Sequence, residues 1–136
     1  MNDEYSYTEK CVERLLKEYK KHGKLIIAVD FDSTVYDYYS DGGDFPRALE
    51  IIKKCKDAGC LIACYTASDP KRWEFIRKYF LDKGIELDSI NENAVKGLPF
   101  GHWGKIYYNI LLDDRAGLGQ ALDILEKTFN MYHEIL

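Results

Sequence analysis

The sequence predicts an α/β domain with a mainly parallel central sheet in a three-layer, Rossmann-like arrangement. Short apolar runs at Leu25–Val29, Leu61–Tyr65 and Ile110–Leu112 alternate with stretches whose apolar residues recur at helical spacing. The runs lack polar alternation, as strands buried on both faces do. Strands separated by helices imply crossover connections and hence a parallel sheet. The length of 136 residues fits a single domain, 1–136, and 46% hydrophobic residues are enough for one core.

The elements come in order. Ser6-Tyr7-Thr8-Glu9 fits a capping box with Ser6 as N-cap, and Val12, Leu15, Leu16 and Tyr19 form an apolar helical stripe that ends at Gly23. The charged residues between them, Glu13, Lys17, Glu18, Lys20 and Lys21, read as a solvated face. After the first strand, residues 36–44 form a turn-rich loop with three tyrosines and Gly42-Gly43. Pro46 suits the start of a helix with apolar Leu49, Ile51 and Ile52, closed by Gly59. Following the second strand, Asp69-Pro70 reads as N-cap and first helical residue. Trp73, Ile76, Phe80 and Leu81 line the helix that stops at Gly84. A short strand is expected around Ser89-Ile90-Asn91, then a Gly/Pro loop from Asn93 to Gly104. The last helix runs from about Leu118 to His133, with Ala121, Leu122, Leu125 and Phe129 inward.

Composition narrows the function. Nineteen basic residues against 23 acidic ones, a net charge of −4, do not suit a polybasic nucleic-acid binder. The longest plain apolar run is five residues, far short of the roughly 20 of a membrane helix. The acidic N-terminal residues contain no apolar signal segment. Cys11, Cys55, Cys60 and Cys64 show no Cys-x-x-Cys pattern and no zinc spacing. Their even count allows two disulfides, but free buried thiols in a reducing compartment fit better, and the protein is expected to be soluble and cytoplasmic.

Ligands of open α/β sheets sit at the carboxyl ends of the strands. There this chain carries Asp30-Phe31-Asp32-Ser33-Thr34-Val35, then Thr66-Ala67-Ser68, then Asp113-Asp114-Arg115. Four carboxylates would converge on one edge. Two like charges 4 Å apart repel by about 4 kcal/mol at an effective dielectric of about 20, so protonation, basic side chains or a cation must compensate. An oxygen-only ligand set suits a hard ion, Mg²⁺ better than Ca²⁺. His22, His102 and His133 are scattered and make no zinc set.

These residues carry a resemblance. Asp30-Phe31-Asp32-Ser33-Thr34-Val35 resembles the first motif, Asp-x-Asp-x-Thr-[Val/Leu], of the haloacid dehalogenase-like phosphatase superfamily. Thr66 resembles its second motif, Lys105 its third-motif lysine and Asp113-Asp114 its acidic fourth motif, all in the family's order. Asn91-Glu92-Asn93 and Gly104-Lys105-Ile106-Tyr107 look like small capless bacterial and phage-type members. Ser33 departs from the pattern, since many members have glycine there.

The resemblance implies a Mg²⁺-dependent phosphomonoester hydrolase. Asp30 would be the nucleophile that forms an aspartyl-phosphate, and Asp32 the general acid and base. The implied metal ligands are Asp30, Asp113 or Asp114, and Asp32 through its backbone carbonyl. Thr66, Ser68 and the Phe31 backbone would contact the phosphoryl oxygens. Lys105 would stabilise the developing charge, with Lys96, which flanks the same loop, as its competitor. Asp114, where it is not the direct ligand, would orient a ligand water or pair with Lys105. Tyr36, Tyr38 and Tyr39 either pack on a substrate ring or sugar or tuck onto the core; Trp103 and His102 could likewise face the site.

Family caps are inserted after the first motif or between the second and third. Residues 34–46 are too few for one, and 66–105 hold only a helix, a short strand and a loop. A capless, open site suits a nucleotide, a sugar phosphate or another exposed phosphate end, with nucleic acid only as an end-substrate. A second subunit could close it, and no membrane partner is expected. The competing readings are a receiver-like phosphoacceptor domain and an inactive binding domain.

Overall fold

The computed structural model of the chain describes residues 3–39, 45–101 and 103–135. Four strands, β1 (Ile26–Val29), β2 (Leu61–Cys64), β3 (Ser89–Ile90) and β4 (Ile110–Leu112), form one sheet in the order β3-β2-β1-β4. Every pairing is parallel. Four α-helices accompany them: α1 (Asp3–His22), α2 (Pro46–Asp57), α3 (Trp73–Asp82) and α4 (Leu118–Ile135). The architecture is a three-layer Rossmann-like α/β fold, and among the described residues there is no cap domain.

Strand order dictates how the layers are built. From β1 the chain moves outward through α2 to β2 and through α3 to β3, then returns across the sheet to β4 on the far side of β1. Right-handed crossovers put the outward helices on one face and send the return over the other. The first face is the main core. Ile27, Val29, Ile62, Cys64, Ile110 and Leu112 pack there with Leu15 of α1, Ile52 of α2, Phe80 of α3 and Leu125 of α4. On the second face small Ala28 and Ala63 lie under Ile106, Tyr108 and Ala94 of the return segment. A doubly wound sheet with helices on both faces would place a helix there; here, among the described residues, segment 91–109 is irregular throughout.

Local chemistry explains the element ends. Gly59 and Gly84 both adopt left-handed backbone, at φ +94° and +81°. Each closes its helix with paired bonds, Gly59 N–H to Lys56 O with Cys60 N–H to Cys55 O, and Gly84 N–H to Leu81 O with Ile85 N–H to Phe80 O. These satisfy carbonyls that a helix end otherwise orphans. Pro46 is the first residue of α2, as expected. Asp69 accepts a hydrogen bond from Lys71 N–H at 2.8 Å and so caps a 3₁₀ turn, Pro70–Arg72, that leads into α3.

Some expectations shift. Helix α1 begins at Asp3, so Ser6 lies inside it and is not the N-cap. Leu81 is 61% exposed and does not line the core side of α3. Gly42-Gly43 and His102 lie outside the described residues. All four cysteines are free. No helix is long and apolar enough to cross a membrane among the described residues.

Candidate active site at the switch point

The chain leaves β1 in one direction along the sheet and returns to its other side at β4. This reversal opens a crevice at the carboxyl ends of β1 and β4. The register aligns the residues beyond the strand ends. Val29 pairs with Cys64 and with Leu112, so Asp30, Tyr65 and Asp113 emerge side by side. Asp30 N–H bonds Leu112 O at 2.9 Å, and Tyr65 N–H bonds Val29 O at 2.9 Å. A cleft of about 860 Å³ opens over these ends. Its lining includes Asp30, Asp32, Thr66, Ser68, Asp113 and Asp114, together with Arg72, Arg115, Tyr38, Tyr39 and Tyr65.

Asp30, Asp113 and Asp114 each bring a side-chain oxygen within 4.8 Å of the others. Among the described residues none of the three has an ion-pair partner. Burial pushes the Asp30 carboxyl up to about 6, and the charge of Asp113 adds to it; the Thr34 hydroxyl and a Phe31 backbone hydrogen bond pull back, and Asp114 pushes further. Thr34 is fully buried and ties the two strand ends together. Its hydroxyl accepts Asp114 N–H at 3.0 Å, and lies 3.2 Å from Asp30 Oδ2 and 3.3 Å from Asp114 Oδ1. One hydroxyl proton serves only one of those carboxylates at a time. Asp113 Oδ1 accepts Arg115 N–H at 2.8 Å, which fixes the turn after β4.

The loop after β1 is tight. Phe31 O receives the N–H groups of Thr34, Val35 and Tyr36, and Ser33 N–H returns to Tyr36 O at 2.8 Å. The turn requires left-handed backbone at Ser33, φ +62°, the position where many members of the resembling family have glycine. The Phe31 side chain is fully buried, so only its backbone is open to a ligand.

Asp32 is placed differently. Both its oxygens are held by Arg72, Nη1 to Oδ2 at 2.6 Å and Nη2 to Oδ1 at 2.8 Å. The pair is bidentate, the strongest geometry such ions make. Asp32 in turn holds Arg72 above its usual guanidinium value, chiefly through this hydrogen bonding. The guanidinium also bonds Ser68 Oγ at 2.9 Å and lies 5.3–5.8 Å from the ring centroids of Phe31, Tyr36, Tyr38 and Phe75. The Asp32 carboxylate is therefore not among the converging oxygens, and only its backbone carbonyl remains for the implied metal contact.

Thr66 and Ser68 stand together on the β2 side. Thr66 Oγ1 donates to Ser68 Oγ at 3.1 Å and accepts Ser68 N–H at 3.1 Å. Asn91 clasps the Thr66 backbone through both its amide groups, at 2.8 and 2.7 Å, from a left-handed conformation of its own.

Neither predicted lysine is among the residues that line the cleft. Lys105 is exposed, with Nζ 5.7 Å from the Tyr108 ring centroid, and Lys96 lines a smaller pocket on the return segment. No ion pair joins Lys105 to Asp114. The cations that do line the cleft are Arg72 and Arg115. Sequence reasoning misses Arg72; the available signal is its place four positions beyond Ser68, at the end of the turn that Asp69-Pro70 begins. Of the loop aromatics, Tyr36 stacks on Phe31 at 5.0 Å and 9°, whereas Tyr38 and Tyr39 line the cleft. Trp103 is 86% exposed and away from it.

No family model matches the chain, and no curated protein does. Among solved structures it is similar to a conserved protein coded by a locus of Bacteroides thetaiotaomicron. The match has a TM-score of 0.58 and 22% identity, and covers 76% of this chain and 91% of that one. At that identity the likeness shows the fold alone.

Proposed function

We propose that the protein is a capless, haloacid dehalogenase-like phosphomonoesterase that works through an aspartyl-phosphate on Asp30. The observation that carries this reading is the convergence of Asp30, Asp113 and Asp114 at the switch point, beside two hydroxyls, in a cleft open to a phosphate end. Three carboxylate oxygens with no ion-pair partner among the described residues fit a hard divalent cation, and Asp30, Asp113 and Asp114 would hold Mg²⁺. When bound, the ion neutralises charge on the phosphoryl oxygens.

The chain's own residues supply the rest. An Asp30 oxygen attacks phosphorus as the bond to the leaving alcohol breaks, and water then cleaves the acyl phosphate. Thr66 and Ser68 offer hydroxyl donors to the phosphoryl oxygens. Asp32 would give a proton to the leaving oxygen and take one from the attacking water only once one of its oxygens leaves the Arg72 fork, which holds both, and takes up that proton. Arg72 and Arg115 line the cleft, which Lys105 does not, and they would stabilise the developing charge in place of Lys105. The four free thiols favour work in a reducing cytoplasm.

The test is hydrolysis of an aryl phosphate with Mg²⁺ and with EDTA, for wild type and Asp30→Asn. Turnover should need the ion and vanish in the variant. Hydrolysis retained by Asp30→Asn would overturn the reading.

A further inference from the structure

We propose that the cleft takes a nucleoside monophosphate, with Tyr38 and Tyr39 forming the platform on which the base lies. The inference rests on the phosphomonoesterase reading and names the substrate class of that site.

The loop after β1 divides its aromatic rings into two groups. Phe31 and Tyr36 stack with each other and pack against Phe75 and Tyr79, and so belong to the fold. Tyr38 and Tyr39 line the cleft yet stay 55% and 67% exposed. They meet edge to face, centroids 5.0 Å apart at 86°, which leaves ring surface open to a ligand. Tyr38 is not loosely hung. The Arg72 guanidinium lies 5.7 Å from its ring, and the Asp32 fork fixes that guanidinium. A rigid ring costs little entropy when a second flat ring settles on it.

Depth then selects the ligand. Among the residues that line the cleft, Asp30 is half-buried, whereas Tyr38 and Tyr39 are mostly exposed and so mark its open side. A phosphate at the floor and a ring at the mouth need a spacer between them. A ribose is such a spacer; an aryl phosphate, whose ring is bonded through one oxygen to phosphorus, has none. The cleft volume of about 860 Å³ suits a ligand of nucleotide size. The net charge of −4 disfavours a long polynucleotide track, which leaves the mononucleotide.

The test separates platform from chemistry. Calorimetric binding of adenosine 5′-monophosphate, ribose 5-phosphate and phosphotyrosine to the Asp30→Asn chain in Mg²⁺ is measured beside turnover of the same compounds by wild type. Adenosine 5′-monophosphate should bind at least about tenfold tighter than ribose 5-phosphate, the scale of one base–aromatic stack. The preference should collapse in the Tyr38→Ala, Tyr39→Ala double variant and persist in the corresponding double Phe variant. Equal affinities, no measurable binding, or a preference that survives the alanines would overturn the inference. Tighter binding of phosphotyrosine would overturn the nucleoside assignment. Tyrosine-dependent nucleotide binding without hydrolysis would instead contradict the phosphomonoesterase reading and leave the platform standing.

Discussion

On the α3 side of the cleft, Asp32 meets both nitrogens of Arg72 at 2.6 and 2.8 Å, and the guanidinium is boxed by four aromatic rings. On the β4 side, Asp30, Asp113 and Asp114 crowd their oxygens within 4.8 Å, and among the described residues Thr34 and backbone amides are their hydrogen-bond partners. Only Phe31 separates Asp30 from Asp32 in the chain, yet one carboxylate is neutralised by the fold and the other is left charged against its neighbours. The first side is therefore a neutralised pair that the proposed proton transfer has to open, and the second is a store of unfavourable charge. A store of that kind persists in a folded protein where function uses it.

If the crowded side holds a cation, the ion must stabilise the fold. At a Mg²⁺ concentration about a hundredfold above Kd the gain is about 2.7 kcal/mol. Thermal unfolding should show it in wild type and lose it in Asp113→Asn. An equal gain in the variant would place the ion elsewhere.

Removing the partner on the other side should act without the ion. Arg72→Ala leaves Asp32 without its charged hydrogen bonds and should cost about 2 kcal/mol in urea unfolding. Arg72→Lys keeps the charge but loses the fork, so it should recover only part of that. Full recovery by lysine would make the pair a plain charge contact.

Acidity separates the two sides further. Asp30 titrates at about 6 in the fold and at 3.8 without its surroundings, so the native state binds its proton more tightly. In EDTA its ionised form weakens the fold near neutral pH, and that penalty fades as pH falls from about 7 toward about 4. Wild type should therefore gain stability relative to Asp30→Asn as the pH is lowered through this window. A difference between the two that stays flat with pH would mean that burial and the neighbouring carboxylates do not raise Asp30.

The smallest effect is expected at Ser33. A serine at φ +62° carries strain that glycine does not. Ser33→Gly should raise stability by at most about 1 kcal/mol, read from the unfolding midpoint, and a loss would show that the Ser33 side chain contributes to the loop.

Much of this is legible in the residues. Apolar runs without alternation mark β1, β2 and β4, because a parallel strand buried on both faces has no polar side. The strand-end rule then places Asp30, Thr66 and Asp113 together. Arg72 is not legible, because its partner Asp32 lies forty positions away and only the packing of the turn before α3 brings them together. The position of Lys105 is also out of reach: it sits on an irregular return segment with no periodicity to orient it. Nor can the sequence alone assign Tyr36 to the core and Tyr38 to the cleft, since alternation within a tight loop depends on the left-handed turn at Ser33.

A covalent phosphoryl group on Asp30 is the feature on which the proposed chemistry stands or falls. Wild type is mixed with an aryl phosphate and Mg²⁺, quenched in acid within the first turnover, digested and weighed by mass spectrometry. One added phosphoryl group is expected on the peptide that carries Asp30, located to Asp30 by fragmentation and absent in Asp30→Asn. Hydrolysis without any phosphorylated aspartate, or with the phosphoryl group on Asp32 or Asp113, would contradict it.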